Sequence, residues 1–154
     1  MPIEARRIDS ASPDALALVE AILAELETYY GPWDPTADTP SATPEDLAPP
    51  GGAYVALYDE DGTVLAGGGV KRLGEGLGEI KRMYVIPDAR GRGLARRLLA
   101  ALEAAARDLG YVRVRLDTGR FQAAAEALYR SSGYEEIPDY NHNVYASYWG
   151  EKVL

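Results

Sequence analysis

The 154-residue chain contains no cysteine, which excludes disulfides and thiolate metal ligands. It has one histidine, His142, too few for a multi-histidine centre, and no metal is expected. No apolar run approaches the roughly 20 residues that cross a bilayer. The opening MPIEARRIDS holds no apolar segment of the signal-peptide kind. The expectation is a cytoplasmic protein with no membrane partner. Positive charge is the scarcer sign: 16 Lys and Arg stand against 24 Asp and Glu, a formal net charge of −8. That deficit argues against nonspecific nucleic-acid binding, which runs on basic surface. An acidic balance suits a cationic substrate and equally serves solubility alone. No internal repeat, low-complexity tail or linker interrupts the chain, and its length fits one domain over 1–154.

What is present alternates between strand and helix signals. Residues 3–8 read as a strand. Ser12-Pro13-Asp14 is a helix start, with an N-cap hydroxyl, an early proline and an acid near the positive dipole end. Leu16, Val19, Leu23 and Leu26 carry that helix to Tyr30, where Gly31-Pro32 stops it. A loop rich in Pro, Thr, Ala and Asp fills 33–52, with a helical turn expected at 44–47; loops of this length are functional or mobile. Residues 53–58 and 63–72 form a hairpin across Asp59-Glu60-Asp61-Gly62. Gly67-Gly68-Gly69 weakens its return strand unless a bulge or a close neighbour requires glycine. Another glycine-rich turn covers 73–78. A strand at 79–86, a helix at 92–109, a strand at 111–117, a helix at 121–132 and strands at 134–137 and 145–154 complete the order. Tight turns make the early strands antiparallel, and the 79–117 crossover makes its two strands parallel. The fold class expected is α/β, a mixed sheet of six to seven strands with helices on both faces.

One stretch runs against the acidic balance. In RMYVIPDARGRGLARRLLAALEAAARDLG, 82–110, a strand ends at proline and a basic glycine turn opens a long helix. Free N–H groups and the positive dipole end meet there, and glycine admits a ligand to the backbone, so phosphate or pyrophosphate is the natural guest. A surface turn whose glycines only relieve strain is the plainer alternative. The P-loop pattern is absent, and Arg96 stands where a dinucleotide fingerprint needs its third glycine. The pattern that fits is R/Q-x-x-G-x-G/A, as Arg90-Gly91-Arg92-Gly93-Leu94-Ala95.

This stretch, with LDTG at 116–119 and ALYRSSGYEEI at 127–137, resembles the GNAT N-acetyltransferase family. The resemblance covers nearly the whole chain and is weakest over 33–50. It implies acetyl-CoA as co-substrate, its pantetheine arm bonded by backbone groups of Met83, Tyr84 and Val85 where the sheet splays. It places the pyrophosphate on the amides of Gly91, Arg92, Gly93, Leu94 and Ala95, with charge from Arg90 and Arg92. Arg96 reaches the phosphates or faces solvent. Tyr129 falls where the family donates a proton to the CoA sulfur, the alternative being a core aromatic. Glu79, eleven residues before Arg90, matches the glutamate that takes the amine proton directly or through water. A surface carboxylate in an ion pair is the alternative, and Tyr84, Asp117 and Asp139 are rivals. By strand alternation Glu79, Lys81, Met83 and Val85 share a face unless a bulge intervenes. Thr118 bonds pantetheine or caps the next helix, and the oxyanion falls to the N–H of Val85 or a neighbour.

The acceptor is expected to be the primary amine of a small molecule, amino acid or peptide. The resemblance builds its site from 29–50 and 137–149. Tyr29, Tyr30, Trp33, Tyr140, Tyr145 and Tyr148, with Asp34, Asp38 and Asp139, make those segments aromatic and acidic, which suits an amine. Equally, these aromatics pack the core and a homodimer surface. His142 sits among them and is more simply a solvated loop residue. A non-catalytic acyl-CoA-binding or sensing module of the same fold is the alternative function.

Overall fold

The computed structural model describes residues 2–34, 36, 40 and 42–154. Its frame is a seven-stranded mixed sheet in the order β1-β2-β3-β4-β5-β7-β6. The strands are β1 (Glu4–Ile8), β2 (Ala53–Tyr58), β3 (Val64–Gly74), β4 (Leu77–Val85), β5 (Arg113–Gly119), β6 (Glu135–Glu136) and β7 (Ala146–Val153). The helices are α1 (Pro13–Tyr30), α2 (Leu94–Asp108) and α3 (Ala123–Ser131). β1 to β4 run antiparallel by sequential turns. β4 and β5 are parallel, as the helical crossover requires. Among the described residues no helix is long and apolar enough to cross a membrane.

Two apolar clusters hold the helices to the sheet. Leu98, Leu102 and Ala105 of α2 pack on Val55, Leu57, Val70 and Ile80, and Tyr129, Tyr134 and Tyr148 extend that core. Ala15, Leu18 and Ile22 of α1 pack with Tyr54, Tyr84 and Leu47. The Ser12 Oγ accepts the N–H of Ala15 at 3.3 Å and caps α1. The stripe expected on α1 divides: Leu16 and Leu23 are exposed, while Leu23 and Leu26 face the cavity described below. Pro44 to Leu47 makes the single helical turn expected, with Leu47 N–H on Thr43 O at 3.2 Å.

The three glycines of β3 are a packing requirement. A Cβ on Gly67 would stand 2.6 Å from Leu18 Cδ1 and from Tyr54 Oη, and one on Gly69 would stand 2.7 Å from Leu47. Opposite Gly68 the ladder slips: Gly67 pairs Tyr84 and Gly69 pairs Lys81, leaving Arg82 and Met83 against one residue. Arg82 takes φ 60° in this bulge. The shared face expected for Glu79, Lys81, Met83 and Val85 is therefore broken. Met83 joins Ile80 on the α2 side, and Tyr84 joins the α1 side.

Boundaries moved where glycine or pairing decided them. α2 opens at Leu94 and not at 92, because Gly91 (φ 81°) and Gly93 (φ 75°) are left-handed. The turn expected at 73–78 shrinks to Glu75 and Gly76. The strand expected at 134–137 keeps only the two residues of β6.

Candidate active site

β4 and β5 pair over only three positions, Leu77 to Arg113, Gly78 to Val114 and Glu79 to Arg115. Beyond Glu79 they diverge, and a cavity of about 820 Å³ opens between them. α1 with Gly31, Trp33, Pro40, Ala42 and Thr43 walls one side; Lys81, Arg82 and Met83 of the bulge, Thr118 of β5 and Tyr129 of α3 wall the other.

The splay frees part of the β4 backbone. Ile86 N–H bonds Leu65 O at 2.9 Å, so Tyr84 and Gly67 form the next hydrogen-bonded pair and Val85 turns its N–H and C=O away from β3. Val85 O accepts Arg90 Nε at 3.0 Å. The Tyr84 backbone instead faces β3, and its ring is buried under α1 with the Arg90 guanidinium 5.4 Å from its centroid.

At the end of β4 a 3₁₀ turn, Pro87–Ala89, leads into the glycine turn. Gly93 caps α2 without a side-chain bond. The first helical bond is Arg97 N–H to Gly93 O at 3.3 Å, so the helix leaves the amides of Leu94, Ala95 and Arg96 unpaired. The Leu94 side chain is buried in the core while Ala95 keeps the turn slim. The three arginines divide. Arg90 binds Glu25 of α1 at 2.8 Å. Arg92 reaches Asp88 O at 3.2 Å. Arg96 binds Ser131 Oγ at 2.9 Å and Ser132 Oγ at 3.2 Å. Arg92 and Arg96 thus keep their charge uncompensated by any acid among the described residues.

Tyr129 stands on the cavity wall, 7% exposed. Among the described residues its hydroxyl donates only to Met83 Sδ, at 3.7 Å. Burial, then the negative charge of Asp117, pushes the phenol well above its usual range, so it stays protonated. Thr118 Oγ1, also on the wall, is buried without a partner among the described residues.

Glu79 is 1% exposed and lies behind the cavity wall. Its Oε2 accepts Tyr140 Oη at 2.6 Å and Asn141 Nδ2 at 3.3 Å. Asn141 Nδ2 also donates to Asp117 Oδ2 at 2.5 Å, and Asn143 Nδ2 donates there at 3.3 Å. Lys81 Nζ sits between, 3.8 Å from Glu79 and 3.9 Å from Asp117. Asp117 lines the cavity, so the two carboxylates form one bonded unit with Asp117 in front. Burial and the Glu79 charge raise the Tyr140 phenol, keeping it a donor. Asp139 is spent on its own loop, accepting the N–H groups of Asn141 at 3.1 Å and His142 at 2.7 Å. His142 is exposed, with φ 56°.

The aromatics also separate. Tyr30, Trp33 and Tyr145 line the cavity; Tyr29 stacks on Phe121 at 6.2 Å; Tyr148 is core. Asp34 bonds Thr36 and is exposed, and Asp38 lies outside the described residues. Sequence reasoning missed Arg82, Asn141 and Asn143; the polar run DYNHNVY was the signal for the last two, but only the fold shows which carboxylates its amides meet. Among the described residues no three His, Asp or Glu side chains gather as metal ligands.

Residues 19–134 match the family described as "Acetyltransferase (GNAT) family". The chain is 36% identical over 126 residues to the IAA acetyltransferase of Azospirillum brasilense, covering 81% of each. It is also similar to a Klebsiella pneumoniae protein assigned as an acyl-CoA N-acyltransferase (TM-score 0.77, 31% identity, 99% and 97% coverage). The PaiA N-acetyltransferase of Thermoplasma acidophilum, solved in complex with coenzyme A, shares the fold (TM-score 0.73, 17% identity, 100% of both chains).

Proposed function

The chain belongs to the acetyltransferase (GNAT) family, and from that premise we propose that it is an acetyl-CoA-dependent N-acetyltransferase. It moves the acetyl group directly to a primary amine within a ternary complex. The observation that carries this reading is the splay itself, with Tyr129 on its wall and the open N-terminus of α2 following β4.

The amides of Gly91, Arg92, Gly93, Leu94 and Ala95 bind the pyrophosphate, with Arg92 and Arg96 adding charge. Arg90 acts through its tether to Glu25, holding the turn against α1. Met83 and Val85 offer backbone groups to the pantetheine arm, and Thr118 Oγ1 gains there the partner it lacks. Val85 N–H polarises the thioester oxygen. The amine nitrogen forms the C–N bond as the C–S bond breaks. The Asp117–Glu79 unit takes the amine proton, Asp117 facing it, and Tyr129 gives a proton to the departing sulfur.

Thiol release from acetyl-CoA, screened over amines, amino acids and peptides, tests the activity. The expected result is amine-dependent release with an acetylated product. Binding of acetyl-CoA without release on any acceptor would leave the non-catalytic module instead. The base unit has its own test. Asp117→Asn is expected to lower kcat by about 10²-fold and Glu79→Gln by less. Turnover within about threefold for both variants would remove the pair from the mechanism.

A further inference from the structure

We infer that Arg82 reads a carboxylate on the acceptor, so that the amine acetylated is an amino acid, or a close analogue, with an apolar or aromatic side chain. This rests on the acetyltransferase reading and narrows it. Arg82 lies at the bulge with φ 60°, a conformation that costs a non-glycine residue energy and marks built sites. The bulge puts its side chain on the cavity wall. There the guanidinium is largely buried; burial lowers its pKa against the opposing pull of Asp117. Its Nε is buried without a partner. Among the described residues the Arg82 side chain makes no hydrogen bond or ion pair, whereas Arg90, Arg115 and Arg130 each hold a carboxylate. A buried guanidinium without an anion is costly, and its planar fork matches one carboxylate in two bonds.

The neighbours select the anion. Lys81 already lies between Glu79 and Asp117, so Arg82 is the one cavity-facing cation whose side chain no carboxylate bonds among the described residues. One such cation suits a monoanion better than a phosphate dianion. Asp117 lines the same wall and acts on Arg82 through its charge. A carboxylate beside a guanidinium mirrors an amino acid, whose ammonium and carboxylate sit on one carbon. Leu23, Leu26, Tyr30, Trp33 and Tyr145 supply apolar surface for the side chain. Glu20 and Glu27 also line the cavity but are exposed on α1, where water screens them.

The test pairs each apolar and aromatic L-amino acid with its amide as acceptor. The wild-type protein should acetylate the acid with a kcat/KM at least about tenfold above the amide. Arg82→Gln should lower the acid's kcat/KM by about 30-fold and leave the amide's within about threefold, with an unchanged Kd for acetyl-CoA. Arg82→Lys, which keeps the charge and loses the fork, should fall between. Equal wild-type rates on acid and amide, or equal losses in Arg82→Gln, would overturn the inference while leaving the acetyltransferase reading intact. A raised Kd for acetyl-CoA would overturn it by assigning Arg82 to the donor. If no acceptor turns over, the activity reading fails, and calorimetric titration of the same acids into coenzyme A-loaded protein decides. Binding that Arg82→Gln abolishes supports the carboxylate site, and no binding overturns it.

Discussion

Replacing Tyr129 with phenylalanine is expected to lower kcat by about 10²- to 10³-fold while the Kd for acetyl-CoA moves by less than about threefold. The substitution isolates one O–H group. The ring packs at 5.9 Å from Tyr134 and 6.5 Å from Tyr148, and phenylalanine keeps that packing. Among the described residues the hydroxyl donates only to a thioether sulfur, a weak acceptor, so its loss strands no strong partner there and costs little stability. The size of the catalytic loss follows from the leaving group, because a CoA thiolate departing unprotonated in a buried site is poorly stabilised. Because burial raises the Tyr129 pKa, the phenol remains an acid throughout the working range. The wild-type pH–rate profile should therefore show no fall below about pH 10 from loss of this proton. Steady-state thiol release together with calorimetric acetyl-CoA binding separates the two effects. Unchanged kcat in Tyr129→Phe would take Tyr129 out of the chemistry and leave it a core aromatic.

The parts that were legible in the sequence were those set by near neighbours in the chain. The Ser12 cap, the Gly31 stop, the hairpin at 59–62 and the glycine turn before α2 depend on local backbone preference, and each formed close to where it was read. The family and its sheet could be read because three separated blocks agreed in order and spacing. Long-range pairing was not legible. The bulge at Arg82 and Met83 exists because β3 is one residue short against β4, and that slip inverted the expected parity. Glu79 reads as a polar strand residue, yet Tyr140 and Asn141, more than sixty residues away, enclose it. The role of Gly67 becomes visible only when Leu18 and Tyr54 close on it from two other elements.

Gly93→Val is expected to raise the Kd for acetyl-CoA by about 100-fold, while Gly110→Val leaves it unchanged. The two glycines bracket α2 and form a matched pair. Gly93 has φ 75° and Gly110 φ 92°, and a Cβ at either meets no atom within 4 Å. Each valine therefore imposes the same kind of left-handed strain, about 1–2 kcal/mol, with no protein clash added. Both variants should show similar losses of stability on denaturant unfolding. Only their surroundings differ. Gly93 caps the N-terminus, where the helix leaves the Leu94, Ala95 and Arg96 amides unpaired. A branched side chain there projects into the open space that a pyrophosphate on those amides would occupy. Losing one or two charge-assisted bonds of about 1.5–3 kcal/mol each accounts for a 100-fold change. Gly110 follows the other end of the helix, where the dipole is negative and no anion is drawn. Equal unfolding shifts with a Kd raised only in Gly93→Val would place the phosphates on this turn. Equal shifts with both Kd values unchanged would show that the glycines serve the backbone alone, and the donor would have to be sought elsewhere along the splay.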